Sequence, residues 1–400
     1  MLTGKTIVLG VTGSIAAYKI ANLASMLVKL HADVQVIMTR NACHFINPIT
    51  FETLTGHKCL VDTFDRDFDF DVKHVSLAKK ADVALVAPCT ANVIGKLASG
   101  ICDDMLTTTL FAMKSPILLS PAMNTAMWEN PILQENLQRL QRYGYQIITP
   151  AVGRLACGDT GSGKMPSEEV LLEHLLLQVA RMKDLEGKRV LITAGPTQEA
   201  IDPVRYITNH SSGKMGYALA KMAVLRGASV TLISGPVNLS PFVGIDLVPV
   251  SDAQSMYEAV TERSAQADII VMCSAVADYT PTSFTDHKIK KAEGDLSIPL
   301  KRTQDILKYL GEHKPAGQLL VGFSMETENL IENSRAKLTK KNADLICANA
   351  IATGKTGFGV DTNRVTLISH KEVNELPFCT KEETADLILD YVKTMIDKEL

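Results

Sequence analysis

The stretch Pro121-Ala-Met-Asn-Thr-Ala-Met-Trp128 follows the apolar run Pro116-Ile-Leu-Leu-Ser120 and holds the only tryptophan of the chain. The run reads as a buried strand ending in a loop, and open α/β sheets bind their ligands at the carboxyl ends of strands. An uncharged amide there, Asn124, can orient a substrate carboxylate or amide, or can serve a plain turn ahead of a helix that starts near Trp128. Farther on, one thiol sits in the glycine-dense stretch Gly153-Arg-Leu-Ala-Cys157-Gly-Asp-Thr-Gly-Ser-Gly163. Glycine is costly to order, so this stretch reads as a mobile lid with Cys157 as a proton donor, or as a surface hairpin with an incidental cysteine. His74, ahead of a helical segment, is a base or a structural histidine.

Backbone groups add a cradle. Gly10-x-x-Gly13-x-x-Ala16 joins a strand to a helical pattern; its glycines let a ligand approach the backbone, and free N–H groups at a helix start suit a phosphate. The next strand ends at Thr39-Arg40 without the acid that would hold a ribose diol, which disfavours NAD and leaves NADP open through Arg40. Thr90-Ala-Asn92, after a third strand, offers small polar groups to a second part of the same ligand.

The second half has its own set. Ser211-Ser-Gly-Lys-Met-Gly216 at a helix start is an anion cradle, though not a Walker loop, which needs Gly-Lys followed directly by Ser or Thr. Asp278 sits at a strand end where magnesium or a base is met. Asp286-His-Lys288-Ile-Lys-Lys291 is a compact basic cluster, either solvated surface or functional.

These groups require two scaffolds. With 400 residues, 46% apolar and 21% charged, the chain is long enough for two domains, each with its own core. A net charge of -3 gives no support for nucleic acid or a membrane surface as a partner. The absence of a signal peptide and of any bilayer-length apolar run leads to the expectation of a cytoplasmic protein. The 8 cysteines are scattered without a CxxC pair or metal-ligand spacing, which argues for reduced thiols and against structural zinc. Apolar runs at 6–11, 33–39, 81–88 and 116–120 alternate with helical patterns, as a doubly wound α/β domain requires. Runs at 189–194, 229–234, 268–274, 318–323 and 344–348 repeat the pattern. The charged segment Met182–Lys188 places the boundary near 185, giving domains 1–185 and 186–400.

The motifs in their order, Thr12-Gly-Ser-Ile-Ala-Ala-Tyr-Lys19, His74, Thr90-Ala-Asn92, Pro121-Ala-Met-Asn124 and Leu155-Ala-Cys-Gly158, resemble the flavin-containing cysteine decarboxylase family. Gly195-Pro-Thr, Asp202-Pro-Val-Arg205, Asn209-x-Ser-Ser-Gly213, Ala275-Val-Ala-Asp278 and Lys288-x-Lys-Lys291 resemble phosphopantothenate–cysteine ligases. The two occur together in the bifunctional coenzyme A biosynthesis proteins. The resemblance covers essentially the whole chain, and its specificity lies in the constellation.

The resemblance implies a flavodoxin-like/Rossmann-like FMN-binding domain followed by a Rossmann-like ligase domain, both with mostly parallel sheets. FMN would contact Gly13, Ser14, Ile15, Ala16, Thr39, Thr90, Ala91 and Asn92. His74 would be the base of the oxidative half-reaction, Asn124 the carboxylate holder, and Cys157 the proton donor to the enethiolate. In the ligase, CTP with Mg2+ would activate 4'-phosphopantothenate as an acyl-cytidylate, which cysteine then attacks. Lys288 would act in the first step, where charge builds on phosphates, and Asn209 in the second. Arg205, Ser211, Ser212, Gly213, Gly216, Ala275, Asp278, Phe323, Lys337 and Lys341 would contact nucleotide or substrate, with Asp278 also on the metal. Trimeric decarboxylase and dimeric ligase contacts would build a dodecamer whose sites are completed across interfaces. An NADP-dependent reductase, and a flavin or nucleotide sensor without turnover, are the rival readings.

Overall fold

Short apolar runs, each followed by a polar turn and an amphipathic segment, become parallel strands with crossover helices, because only helices covering both faces can bury such runs. The computed structural model describes residues 1–64, 72–156, 158–290, 296–326, 328–350 and 359–399. Cys157 and Lys291 lie outside the described residues. The chain divides into two compact units, Met1–Arg181 and Met182–Leu400. No helix among the described residues is long and apolar enough to cross a membrane.

In the first unit β1 (Thr6–Val11), β2 (Asp33–Met38), β3 (Val83–Cys89), β4 (Ile117–Pro121) and β5 (Gln146–Ile147) form one parallel sheet in the order β2-β1-β3-β4-β5. This is the flavodoxin-like order, in which the winding reverses between β1 and β3. The helices are α1 (Ile20–Lys29), α2 (Pro48–Thr55), α3 (Lys73–Lys80), α4 (Ala91–Ser99), α5 (Met105–Ala112), α6 (Thr125–Trp128), α7 (Pro131–Arg142) and α8 (Glu168–Val179). Strand side chains alternate between faces. Val8, Ala84, Val86 and Leu119 point into one core layer with Leu77, Ile94, Leu106 and Leu137 of α3, α4, α5 and α7. α1 packs against β2 and α8 against β3.

Two local readings change here. The side-chain space beside Gly10 and Gly13 is taken by the protein itself: a Cβ on Gly10 would lie 2.7 Å from Leu106 Cδ1, and one on Gly13 2.7 Å from Asn41 Cβ. Their small size is used by close packing inside the fold. The helix after Pro121 begins at Thr125 and not near Trp128, because Asn124 itself is its N-cap.

The glycine-dense stretch folds as an antiparallel hairpin of β6 (Ala151–Arg154) and β7 (Thr160–Lys164). It is seated on the loop after β4: Met123 N donates to Gly163 O at 3.0 Å and Thr125 Oγ1 to Ser162 O at 2.9 Å. Gly163 has φ +109°, and a Cβ there would lie 2.4 Å from Met123 O, so only glycine fits this contact.

The second unit contains β8 (Arg189–Ala194), β9 (Gln198–Ala200), β10 (Tyr206–Thr208), β11 (Ser229–Ser234), β12 (Ile245–Pro249), β13 (Ile269–Met272), β14 (Tyr279–Pro281), β15 (Leu300–Arg302), β16 (Leu319–Glu326), β17 (Leu345–Ala350), β18 (Thr362–Asn363), β19 (Val365–Ser369), β20 (Val373–Glu375) and β21 (Cys379–Thr380). Its main sheet runs β12-β11-β8-β13-β16-β17-β19-β20, with the first six strands parallel and the last two antiparallel. The parallel part follows the Rossmann order, its switch point between β8 and β13. α10 (Ala253–Ser264), α11 (Ile306–His313) and α12 (Leu330–Lys340) pack on one face through Met256, Leu307 and Leu338. α9 (Lys214–Leu225) packs on β8 and β11 and against α13 (Lys381–Glu399). The long first turn of this unit is not an extended loop: β9 and β10 pair as a small hairpin inside it.

Candidate active sites

Among the described residues, every candidate group of the first unit except His74 stands on the carboxyl edge of its sheet. Thr12 links the two strands of the switch point: its Oγ1 donates to Pro88 O at 2.6 Å and accepts from Thr90 N at 3.1 Å. Thr39 N donates to Val11 O at 3.0 Å, which draws the end of β2 to the same place. Thr90 is the N-cap of α4 but makes no side-chain cap bond, so its hydroxyl and the first N–H groups of α4 remain available. After β1 the chain forms a 3-10 turn, Ile15–Lys19, with Ser14 Oγ accepting from Ala16 N at 3.4 Å.

A cavity of about 600 Å³ opens at this edge. Ser14, Ile15 and Ala16 line it together with Asn124, and the hairpin closes it through Arg154, Leu155, Gly163 and Lys164. Gly13, Thr39, Thr90, Ala91, Asn92 and His74 are not in this lining. His74 is half-buried in the first turn of α3.

Asn124 Oδ1 accepts from Met127 N at 2.8 Å. Only the oxygen of the amide can accept, so the cap fixes which end of the side chain is which. Its two Nδ2 protons have no acceptor among the described residues. An amide donor on the cavity wall is what a carboxylate needs.

In the second unit the switch point is again the meeting place. Ala275 N donates to Gly195 O at 2.9 Å, and Ala277 N to Thr197 Oγ1 at 3.0 Å, so the ends of β8 and β13 are laced together. Asn209 Nδ2 donates to Ala275 O at 3.0 Å, leaving its Oδ1 to accept from a substrate. Ser211 Oγ accepts from Gly213 N at 3.3 Å at the start of α9, and Ser212 is half-buried beside it. Gly216 is used differently: a Cβ there would lie 2.6 Å from Ala194 Cβ, so it serves the close approach of α9 to β8.

A cavity of about 490 Å³ gathers Asp278, Phe323, Lys337 and Lys341 with Arg302, Thr303, Gln304 and Asp305. Lys337 Nζ donates to Phe323 O at 2.8 Å. Lys341 is ion-paired with Asp305, which also caps α11 by accepting from Lys308 N at 3.0 Å. Burial would raise the Asp305 carboxyl, but Lys341 and the Lys308 N–H outweigh it and hold it below the usual range. Asp278 is exposed and without an ion pair among the described residues, in a loop pinned by Thr303 N to Asp278 O at 3.0 Å. The stretch 302–305 was missed in the sequence; Asp305 before an amphipathic helix is an N-cap signal that points to it.

Arg205 and Lys288 stand outside this cavity. Arg205 is committed to an internal clasp: its Nε donates to Asp202 at 3.0 Å and its guanidinium to Ile289 O at 3.0 Å, while Ile289 N donates to Asp202 at 3.1 Å. The Arg205 guanidinium holds the Asp202 carboxyl far below the ordinary carboxylate range. The clasp therefore fixes the backbone next to Lys288, whose own side chain is exposed. Arg40, the residue that kept NADP open, is paired with Asp62 at 2.7 Å.

Two doubly wound units in series, one of flavodoxin-like order with a hairpin over its cavity and one of Rossmann order with lysines at its switch point, define a two-site α/β enzyme. The profile of the Flavoprotein family matches residues 1–179, and that of the DNA/pantothenate metabolism flavoprotein C-terminal domain matches residues 185–395. The chain is 47% identical over 401 residues to the coenzyme A biosynthesis bifunctional protein CoaBC of Bacillus subtilis, covering 99% of this chain and 98% of that one. It is 44% identical over 397 residues to the CoaBC of Vibrio parahaemolyticus, covering 99% of each. A crystal structure of the C-terminal domain of a CoaBC is 45% identical and covers 54% of this chain and 99% of that one, with a TM-score of 0.47. The chain belongs to the family of coenzyme A biosynthesis bifunctional proteins.

Proposed function

We propose that the two cavities carry successive reactions on one substrate. Membership of the family makes the chain a bifunctional enzyme of coenzyme A biosynthesis, with phosphopantothenate–cysteine ligase and phosphopantothenoylcysteine decarboxylase activities. The reductase and sensor readings are not favoured. The proposal assigns decarboxylation to residues 1–185 and ligation to residues 186–400. The observation that carries it is the amide of Asn124, held by its cap with both Nδ2 protons open, on the wall of the cavity that Ser14–Ala16 also line.

In the ligase unit the carboxylate of 4'-phosphopantothenate attacks the α-phosphate of CTP and pyrophosphate leaves. Lys288, Lys337 and Lys341 meet the charge that builds on the phosphates. The amine of cysteine then displaces CMP, with Asn209 orienting the activated acyl group. One exposed carboxylate lining a cavity of about 490 Å³ suits Mg2+, which is held by one or two carboxylates plus substrate phosphates; Asp278 would be that ligand.

The carboxyl edge at the β1/β3 switch point, with the open Thr90 hydroxyl and the apolar Ile15 and Tyr18 beside the cavity, fits FMN, which flavodoxin-like folds bind at this point. Gly13, Ser14, Ile15, Ala16, Thr39, Thr90, Ala91 and Asn92 would hold it. FMN supplies the electron sink that oxidation of the substrate thiol requires before CO2 can leave. Asn124 binds the carboxylate that is lost. His74, which stands outside the cavity lining of its own chain, would accept the thiol proton in a site completed across a subunit interface. Cys157 gives a proton to the enethiolate carbon. A cytoplasmic homo-oligomer, a dodecamer of trimeric and dimeric contacts, completes this reading.

The test is decarboxylation of synthetic phosphopantothenoylcysteine by purified protein and by Cys157→Ser. Wild type is expected to be yellow, to release FMN on acid treatment and to form 4'-phosphopantetheine, while Cys157→Ser stalls at the oxidised enethiol. A Cys157→Ser enzyme making phosphopantetheine at the wild-type rate overturns the assignment.

A further inference from the structure

A helix start that receives an anion cannot be capped in the ordinary way, because a side chain accepting from its first N–H groups would stand where the anion belongs. The N-cap of α9 is Gly213, in the left-handed region at φ +75° and with no side chain to offer. A Cβ there would lie 2.9 Å from Val237 Cγ1, so glycine is also what the packing admits. The first turn is held sideways instead, by the side chains of its first two residues. Lys214 Nζ donates to Gly359 O at 2.9 Å and to Asp361 Oδ1 at 2.6 Å, and Asn363 Nδ2 donates to Met215 Sδ at 3.7 Å. The Lys214 ammonium holds the Asp361 carboxyl below the usual carboxylate range.

The receiving segment, 359–363, is fixed from its other side. Lys381, the first residue of α13, donates its backbone N–H to Asp361 O at 2.8 Å and its Nζ to Val360 O. Thr362 and Asn363 of β18 pair with Thr380 and Cys379 of β21, directly ahead of α13. Farther along α9, Lys221 is ion-paired with Glu382 at 2.6 Å. The start of α9 thus leans on a point that α13 and its preceding strand hold still.

We infer that Lys214 and Asp361 are positioning residues for ligation: their ion pair latches the start of α9, and with it Ser211, Ser212 and Gly213, in the place that receives the phosphate chain of CTP. The inference rests on the ligase reading above. The first helix start of a Rossmann-order sheet is where such folds seat a pyrophosphate. Neither residue of the latch touches the nucleotide. A lysine serving the phosphates directly would have to leave Asp361, and removing that carboxylate would then favour binding. In the latch, removing it disfavours binding. The pair is partly exposed, with 33% of the Lys214 side chain and 85% of the Asp361 side chain accessible, so its loss leaves the fold standing and the effect on CTP moderate.

The test combines ligation kinetics with calorimetric binding of CTP in the presence of Mg2+, on the full chain, in wild type, Lys214→Met, Asp361→Asn, the double variant and Lys214→Arg. Each of the first two variants is expected to raise both Kd and KM for CTP by about fivefold, the upper range for a partly exposed ion pair. The KM for cysteine, the melting temperature and the decarboxylation rate stay at their wild-type values. The double variant is expected to match the single ones, since all three remove the same interaction, and Lys214→Arg to bind CTP nearly as wild type does. Unchanged CTP binding in both single variants overturns the latch. Binding weakened by Lys214→Met but kept or tightened by Asp361→Asn overturns it too, by assigning Lys214 to the phosphates. A lower melting temperature with every KM raised alike overturns it as well, by assigning the pair to stability alone. If wild type neither binds CTP nor forms phosphopantothenoylcysteine, the ligase reading fails and the latch with it; if wild type does both and the variants equal it, the latch fails alone.

Discussion

The two units place their sites by the same rule and prepare their side chains in opposite ways. Both use the carboxyl edge of a parallel sheet at the point where the strand order reverses. In the first unit the key group is oriented by a local bond that leaves it open: the Asn124 oxygen caps a helix and its nitrogen is unspent. In the second, charged groups are tied to one another, Lys341 to Asp305 and Arg205 to Asp202. Decarboxylation needs one neutral donor placed well, and a cap places it over three residues of sequence. Nucleotide activation needs several cations kept apart around phosphates, and here that takes contacts such as Lys341 to Asp305, 36 residues apart, and Arg205 to Ile289 O, 84 apart, besides the local Arg205–Asp202 pair. Residues of one unit should accordingly affect one reaction only.

The largest effect is expected from Asn124→Asp. The carboxylate can still cap α6, so the melting temperature stays near that of wild type, while the lost amide donor and the new charge lower decarboxylation by about 10³, the upper range for a donor at a reacting charge. Stopped-flow kinetics and a thermal melt read both at once; an equal loss of stability and rate would make Asn124 a cap only. Asp278→Asn comes next, lowering ligation by about 10² and raising the Mg2+ concentration needed for half-maximal rate, with decarboxylation untouched. Lys337→Met is expected to raise KM for CTP by about tenfold, close to the value of one charged hydrogen bond. A rise in the KM for cysteine alone would place Lys337 elsewhere.

The smallest effect concerns the Asp202 clasp and depends on pH. The folded-state pKa is lowered by Arg205, so the stabilisation is fully present above the ordinary carboxylate value of about 4 and is lost as pH falls through the folded value. Wild type should therefore keep the clasp from pH 8 to 5, while Asp202→Asn ligates a few-fold more slowly across that range and loses less stability on further acidification. Parallel acid profiles for the two proteins would show that the clasp has no such role.

The strands were legible because each is an apolar run between turn residues: the runs at 6–11, 189–194 and 229–234 are β1, β8 and β11 as expected. The hairpin of β9 and β10 was not, since three-residue strands carry no periodicity. Sequence alone marks Gly13 and Gly216 as glycines without saying that Asn41 and Ala194 fill the space beside them. Asn124 was readable as a loop residue, but that its amide is turned by Met127 depends on where the helix begins. Thr303 and Asp305 reach Asp278 and Lys341 only through the fold.

The most direct test of two successive reactions on one substrate is mass spectrometry of the purified protein with 4'-phosphopantothenate, cysteine, Mg2+ and either CTP or ATP. The account predicts 4'-phosphopantetheine together with CMP and pyrophosphate in the CTP reaction. Accumulation of phosphopantothenoylcysteine alone would contradict the assignment of the first unit, and the absence of product with either nucleotide would contradict both.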